Sequence, residues 1–263
     1  MEYENIVYAR QDGVTTITIN RPRYRNALNM DTARELQHAF REAGADPETR
    51  CVVVTGAGTA FASGGDLKFL LEAANLSPLE VKDTVYSNFQ GIARGLLDLE
   101  KPTIAAVNGP AVGAGFDMSL ACDIRIASDK ALFSEAFARL GAIPGMCGMY
   151  LLPHIIGLGR ALEMAYTAEA ISAQEAERIG LANKLVPHDE LLPYTMEYAR
   201  RLANGPTKAL AMIKVGMRRA LAASLASELE FAAYAQGACF KTEDFQEGIR
   251  AAIEKRPPVF KGK

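Results

Sequence analysis

With 263 residues, 49% of them apolar and 23% charged, the chain has enough material for one large buried core or for a domain with an appendage. A formal net charge of −2 supplies no general attraction to nucleic acid or to an anionic membrane surface. Cys51, Cys122, Cys147 and Cys239 are scattered without a Cys-x-x-Cys pair, which reads as reduced thiols of a cytoplasmic protein and not as a disulfide frame or metal site.

In chain order, the charged start through Gln11 has no apolar signal-type stretch, so no secretory signal is expected. Ile6–Tyr8 and Val14–Ile19 read as paired strands joined by a turn at Asp12-Gly13. Asp31 is then expected to cap a helix that carries Ala33, Leu36, Phe40 and Ala43 on one face, with Gly44 ending it. The β-branched run Cys51–Thr55 leads into a first glycine turn, Phe61-Ala62-Ser63-Gly64-Gly65-Asp66, and helical segments follow through Leu99. Thr103–Val107 repeats the pattern, leading into a second glycine turn at Asn108–Asp117 and a helix from Gly113 to about Ala121. Asp123–Ala127 and Ala131–Phe133 are further strands.

The stretch from Leu140 to Gly159 lacks acidic and basic side chains apart from His154, but Pro144, Pro153 and five glycines break any membrane span. A turn into a short buried helix is expected there. Beyond Ile171 the chain is mostly helical, apart from Ala182–Val186, with helices over Asp189–Ala203, Lys208–Ala223, Leu225–Cys239 and Glu243–Glu254. Repeating strand–turn–helix units predict an α/β fold with a parallel or mixed sheet.

Both glycine turns precede helices, and bared backbone at a helix amino end presents unpaired N–H groups. Two such ends meeting at one point would cradle a developing oxyanion, which points to acyl chemistry. Rival glycine-loop readings fail. Gly56-Ala57-Gly58 is followed by Phe61 and Gly113-Ala114-Gly115 by Met118 where a dinucleotide loop needs glycine, and there is neither a Gly-Lys-Ser/Thr loop nor a G-x-S-x-G elbow. His38, His154 and His188 each read as structural, so a base would be a carboxylate. Asp117 fits: it lies three residues after Ala114 on the same helix face, although an acid favoured there only by the helix dipole explains it too.

Asn20-Arg21-Pro22, Arg25-Asn26-Ala27-Leu28-Asn29, Phe61–Lys68, Val107-Asn108-Gly109, Gly113-Ala114-Gly115, Ala121–Arg125, Leu140–Gly145 and Thr242–Phe260 keep their order over nearly the whole chain, and together they resemble the crotonase (enoyl-CoA hydratase/isomerase) superfamily. The resemblance implies an α/β spiral of ββα units over residues 1–200 and a helical trimerisation layer over residues 201–263. It also implies a homotrimer or a hexamer made of two trimers, acting on an acyl-CoA thioester, with no resident cofactor and no metal. By position, the N–H groups of Gly65 and Ala114 would hold the thioester oxygen. Arg25, Ala27, Ala62, Ser63, Gly64, Asp66, Leu67 and Gly113 would contact the CoA ligand, Asp66 being equally explained as a helix cap.

The resemblance also has gaps. Water-adding members of the family use two glutamates; the first maps to Asp117 and the second to Phe137, which cannot exchange a proton. A further acid position of some isomerases maps to Gly145. Glu135 is a substitute if residues 135 and 137 share a side of an extended segment, and a solvated or capping glutamate otherwise. Phe116, Phe137, Met146, Met149 and Tyr150 are candidates for an apolar acyl pocket or for ordinary core. The expectation is double-bond isomerisation or atypical hydration through an enolate. The alternatives are an acyl-CoA-binding homologue with impaired catalysis or, against the charge balance, an RNA-binding homologue.

Overall fold

The computed structural model describes all residues from Met1 to Lys263. Strands β1 (Ile6–Gln11) and β2 (Val14–Ile19) form an antiparallel hairpin whose turn residues Asp12 and Gly13 both have positive φ, 53° and 76°, as a twisted two-residue turn requires. Helix α1 (Met30–Ala45) follows. Its cap is Asn29 and not Asp31: the Asn29 carboxamide oxygen accepts from the Thr32 amide at 2.9 Å, and Asp31 lies in the first turn. Gly44 does not end the helix, which runs one residue further and releases the chain at Asp46.

Strand β3 (Cys51–Gly56) precedes helices α2 (Leu67–Ala73) and α3 (Pro78–Thr84), a π-turn at Val85–Phe89, and α4 (Gln90–Leu97). After β4 (Thr103–Val107) come β5 (Ala111–Val112), α5 (Ala114–Ala121), β6 (Ile124–Ser128) and β7 (Leu132–Ser134). Helices α6 (Gly148–Ile156) and α7 (Leu158–Thr167), strand β8 (Ile171–Ser172), α8 (Ala173–Arg178) and β9 (Lys184–Val186) complete the core. Four helices close the chain: α9 (Leu191–Ala203), α10 (Thr207–Ala220), α11 (Leu225–Cys239) and α12 (Glu243–Glu254).

The main sheet is mixed, in the order β1-β2-β3-β4-β6-β9, with every pair beyond the first hairpin parallel. Alternation along its strands divides the interior in two. Ile17, Ile19, Val52, Val54, Ala105 and Val107 face the large core, which also holds residues of α1, α4 and α5; Val14, Cys51, Val53, Ile104, Ala106 and Ile126 face a smaller one closed by Ala199 and Ala203 of α9. A second sheet, β5-β7-β8, stands beside the first.

The first two glycine turns are tied together by two buried asparagines. Asn108 donates to the carbonyls of Gly56, Gly58 and Ala60, while Asn26 donates to those of Ala57 and Ala60. These bonds satisfy five carbonyl contacts of the loop from Gly56 to Ala60 and hold the turn after β3 in one shape.

Candidate active site

The segment after β3 pairs with the residues before α1 through one parallel bridge. The Leu28 amide donates to Gly64 O at 2.7 Å, and the Asp66 amide donates to Leu28 O at 2.9 Å. Because the flanking groups bond Leu28, the intervening Gly65 has its own N–H turned away from that partner. It donates to no group in the protein. On the other side, Val112 donates to Ala62 O and Gly113 to Ser134 O, and positive φ (51°) at Gly113 turns the chain from β5 into α5. The Ala114 amide then opens α5 with no intrahelical acceptor and none elsewhere. The two turns are in contact: a Cβ added to Gly64 would stand 3.8 Å from Ala114 N, and one added to Gly115 would overlap Ala62.

All eight residues of α5 are buried, Asp117 completely. Its Oδ2 accepts from the amides of Met146 and Cys147 at 3.2 and 3.3 Å, at the amino end of α6. Burial pushes the Asp117 carboxyl upward, opposed by a hydrogen bond with Glu135 and by those amides. Glu135 is also buried, and its carboxyl is pushed up further, first by loss of solvent and then by the charge of Asp117.

The reason offered for Glu135 from the sequence does not hold. Strand β7 ends at Ser134 and Ala136–Leu140 is a 3-10 turn, so residues 135 and 137 do not share an extended side. Glu135 reaches Asp117 because the chain turns inward directly after β7. Phe137 is half-buried, its ring 3.6 Å from where a Gly113 Cβ would stand. Gly145 faces Val85 of the π-turn, and its carbonyl accepts from Gln90 at 2.9 Å. Neither position holds a proton-exchanging group.

Other expected contacts are spread along the same rim. Arg25 is exposed, Ala27 and Ala62 are buried, Ser63 is half-buried, and Leu67 is 67% exposed at the start of α2. Asp66 caps α2 through the Lys68 amide and also pairs with Arg21 at 3.1 Å, so it has a structural task independent of any ligand. Of the proposed acyl-pocket residues, Phe116 is core against Phe133, and Met149 and Tyr150 are exposed, which leaves Phe137 and Met146 partly buried near the carboxylates. Each histidine has a partner within the fold: His38 bonds Tyr3, His154 bonds Tyr150 O, and His188 bonds Ser128.

The sequence reading missed Gly148. A Cβ there would overlap Asp117 Oδ1 and come within 2.5 Å of Glu135 Oε1, so only glycine lets both carboxyls close over this point. The signal was thin: the third glycine of the Gly141–Gly148 stretch, at the first position of α6.

Two partnerless amides in neighbouring glycine turns and a buried carboxylate on the helix that one of them opens sit in an α/β fold of strand–turn–helix units, the architecture of the crotonase superfamily. The comparisons place the chain within it: residues 9–263 match the enoyl-CoA hydratase/isomerase family, to which the protein belongs. It is 37% identical over 261 residues to a crotonyl-CoA hydratase of Syntrophomonas wolfei, covering 99% of both chains. It is also 37% identical to a short-chain-enoyl-CoA hydratase of Clostridium acetobutylicum, with 97% of each covered. The crystal structure of an enoyl-CoA hydratase from Bacillus anthracis superposes with a TM-score of 0.93 at 35% identity, covering 99% of this chain and 100% of that one.

Proposed function

We infer that the protein processes an enoyl-CoA thioester through an enolate, with Gly65 and Ala114 as oxyanion donors and Asp117 as the base. One observation carries this reading: two backbone amides from separate glycine turns have no partner in the fold, and a buried carboxylate stands one helical turn beyond the second. A preorganised donor of this kind contributes roughly 2.7–4 kcal/mol to a transition state in which charge grows on oxygen. That charge acidifies the α-carbon, and a desolvated aspartate with a raised pKa is a stronger base than one in water. Coenzyme A arrives as part of the substrate, so the chemistry calls for no resident cofactor.

The experiment is turnover of a panel of enoyl-CoA thioesters by the wild-type protein and Asp117→Asn, with acyl-CoA affinity measured in parallel. Loss of turnover with retained affinity supports the assignment. Unchanged turnover removes Asp117 as the base. A catalytically impaired binder is the second reading, favoured by Phe137 and Gly145, and it predicts affinity without turnover in the wild type.

The same reading extends to assembly. In the single chain, Leu225, Leu229, Tyr234, Phe240, Ile249 and Ile253 of the carboxyl-terminal helices are exposed, and α11 buries no residue at all. This supports a homotrimer or a dimer of trimers, which light scattering behind size-exclusion chromatography distinguishes from a monomer.

A further inference from the structure

Gly145 offers the site no side chain, but the peptide that follows it is held at both ends. The Gln90 carboxamide, at the start of α4, donates to Gly145 O at 2.9 Å. A peptide is one planar unit, so the N–H opposite that carbonyl belongs to Met146. This N–H donates to Asp117 Oδ2 at 3.2 Å. Gln90, the Gly145–Met146 peptide and the Asp117 carboxylate therefore form one chain of hydrogen bonds. Donation into a carbonyl polarises the amide behind it, and linked bonds strengthen one another by roughly 10–30% each. Val85 closes the space beside the same peptide, its Cγ1 3.6 Å from where a Gly145 Cβ would stand.

Gln90 is itself held from behind. It follows the π-turn at Val85–Phe89, a rare arrangement that recurs at functional sites. Side chains satisfy carbonyls of that turn: Gln37 of α1 donates to Asn88 O at 2.9 Å, and Arg94 donates to Tyr86 O. Gly91 makes room for the first bond, since a Cβ there would overlap the Gln37 carboxamide. The titratable groups that face Asp117 are Glu135, after β7, and the Cys147 thiol. β5 brings none, His154 of α6 bonds Tyr150 O, and Arg94, the only charged residue of α4, lies over the Tyr86 ring. No cation pairs with this carboxylate, so its charged form depends on the strength and aim of its amide donors.

We propose, resting on the reading of Asp117 as the base, that Gln90 is a positioning residue for it, acting through the Gly145–Met146 peptide to aim and strengthen one of the amides that hold the carboxylate. Removing the Gln90 donor weakens the Met146 N–H and frees its peptide to turn. The carboxylate then loses support for its charged form and is aimed less accurately at the α-carbon. Because the ionised form is the base, the acid limb of the kcat–pH profile moves to higher pH, and the plateau rate falls as well.

The test measures kcat and KM against pH for the wild type, Gln90→Met, Gln90→Lys and Asp117→Asn. The substrate is a short-chain 2-enoyl-CoA or 3-enoyl-CoA, whichever the wild type turns over faster. Gln90→Met keeps the side-chain length and loses the donor; it should lower plateau kcat roughly tenfold, leave KM within about threefold and raise the acid limb by about half a pH unit. Gln90→Lys, which still has an N–H for Gly145 O, should restore part of the rate and bring the limb back down. A merely structural role would lower stability and the yield of active enzyme without moving the limb. The proposal is overturned if the limb of Gln90→Met does not move to higher pH, whatever its plateau rate; inactivity of Asp117→Asn then leaves the base reading standing. Unchanged turnover by Asp117→Asn overturns both. Should Gln90→Met fail to fold, Gln90→Glu, the same shape without an N–H, is read by the same criteria. If the wild type turns over neither thioester, infrared titration of the Asp117 carboxyl decides, each protein being read against its own Asp117→Asn counterpart. A midpoint at higher pH in Gln90→Met supports the coupling, and an unmoved one overturns it.

Discussion

Asp117, in the first turn of α5, and Asp123, two residues past its end, lie six residues apart, and the protein treats them in opposite ways. Asp123 is compensated on every side. Its Oδ2 accepts from the Thr103 amide at 2.8 Å and hydroxyl at 2.9 Å and pairs with Lys214 at 2.9 Å, and its Oδ1 pairs with Arg218 at 2.7 Å. Lys214 goes on to the carbonyls of Leu96 and Lys101, and Arg218 to that of Ala121, the last residue of α5. Asp117, by contrast, has no cation, and the second carboxyl beside it is less well supplied than itself. Burying charge without compensation costs stability. In the proposed reaction, the difference separates a carboxylate that builds from one that reacts.

Substitutions can break that contrast. Asp117→Asn should have the largest effect on turnover, a loss of about a hundredfold or more, with stability to denaturant equal to wild type or higher. Asp123→Asn should do the reverse, lowering unfolding free energy by ~3 kcal/mol because two cations lose their counter-charge, while activity per folded molecule stays near wild type. Lys214→Met should cost less, about 2 kcal/mol in chemical denaturation, because Arg218 still faces Asp123. Equal stability losses for Asp117→Asn and Asp123→Asn would erase the distinction.

The smallest expected effect is in the pH dependence of folding. Native Asp117 and Glu135 have pKa values raised above their ordinary 3.8 and 4.5, so the folded chain holds protons that the unfolded chain releases. Their contribution to stability is fully present below those ordinary values and is lost as pH rises through the raised ones. Glu135→Gln removes part of this penalty. Relative to wild type its stability should rise progressively between about pH 5 and about pH 9, read from urea midpoints. A constant offset between the two proteins would show that Glu135 does not hold its proton in the native state.

The strand blocks were legible because β-branched runs bounded by glycine have few other uses: Cys51–Gly56 and Thr103–Val107 form where they were read. The partnerless amides of Gly65 and Ala114 were legible for a related reason, since glycine turns opening helices leave N–H groups free. Helix ends were less so. Asn29 and Asp31 are both competent caps, and only the backbone angle at residue 29 decides between them. What the sequence concealed was lateral contact. Glu135 was singled out for a wrong reason, an extended segment that the 3-10 turn replaces, and Gly148 joins the site only because α6 starts against both carboxyls. The pattern along α11 marked a helix, but its apolar residues find no burial within one chain.

The grip of α10 on the end of α5 has a wider consequence. The chain on both sides of it is tied down as well, with Arg50 bonding Gly205 O before α10 and Phe260 O after it, and Asp244 accepting the amides of Lys261 and Gly262. Damage to the final sixty or so residues, by protease or frameshift, would therefore strip Asp123 of both counter-charges and Arg50 of two acceptors, and would register as a weakened core long before the amino end of α5 is touched.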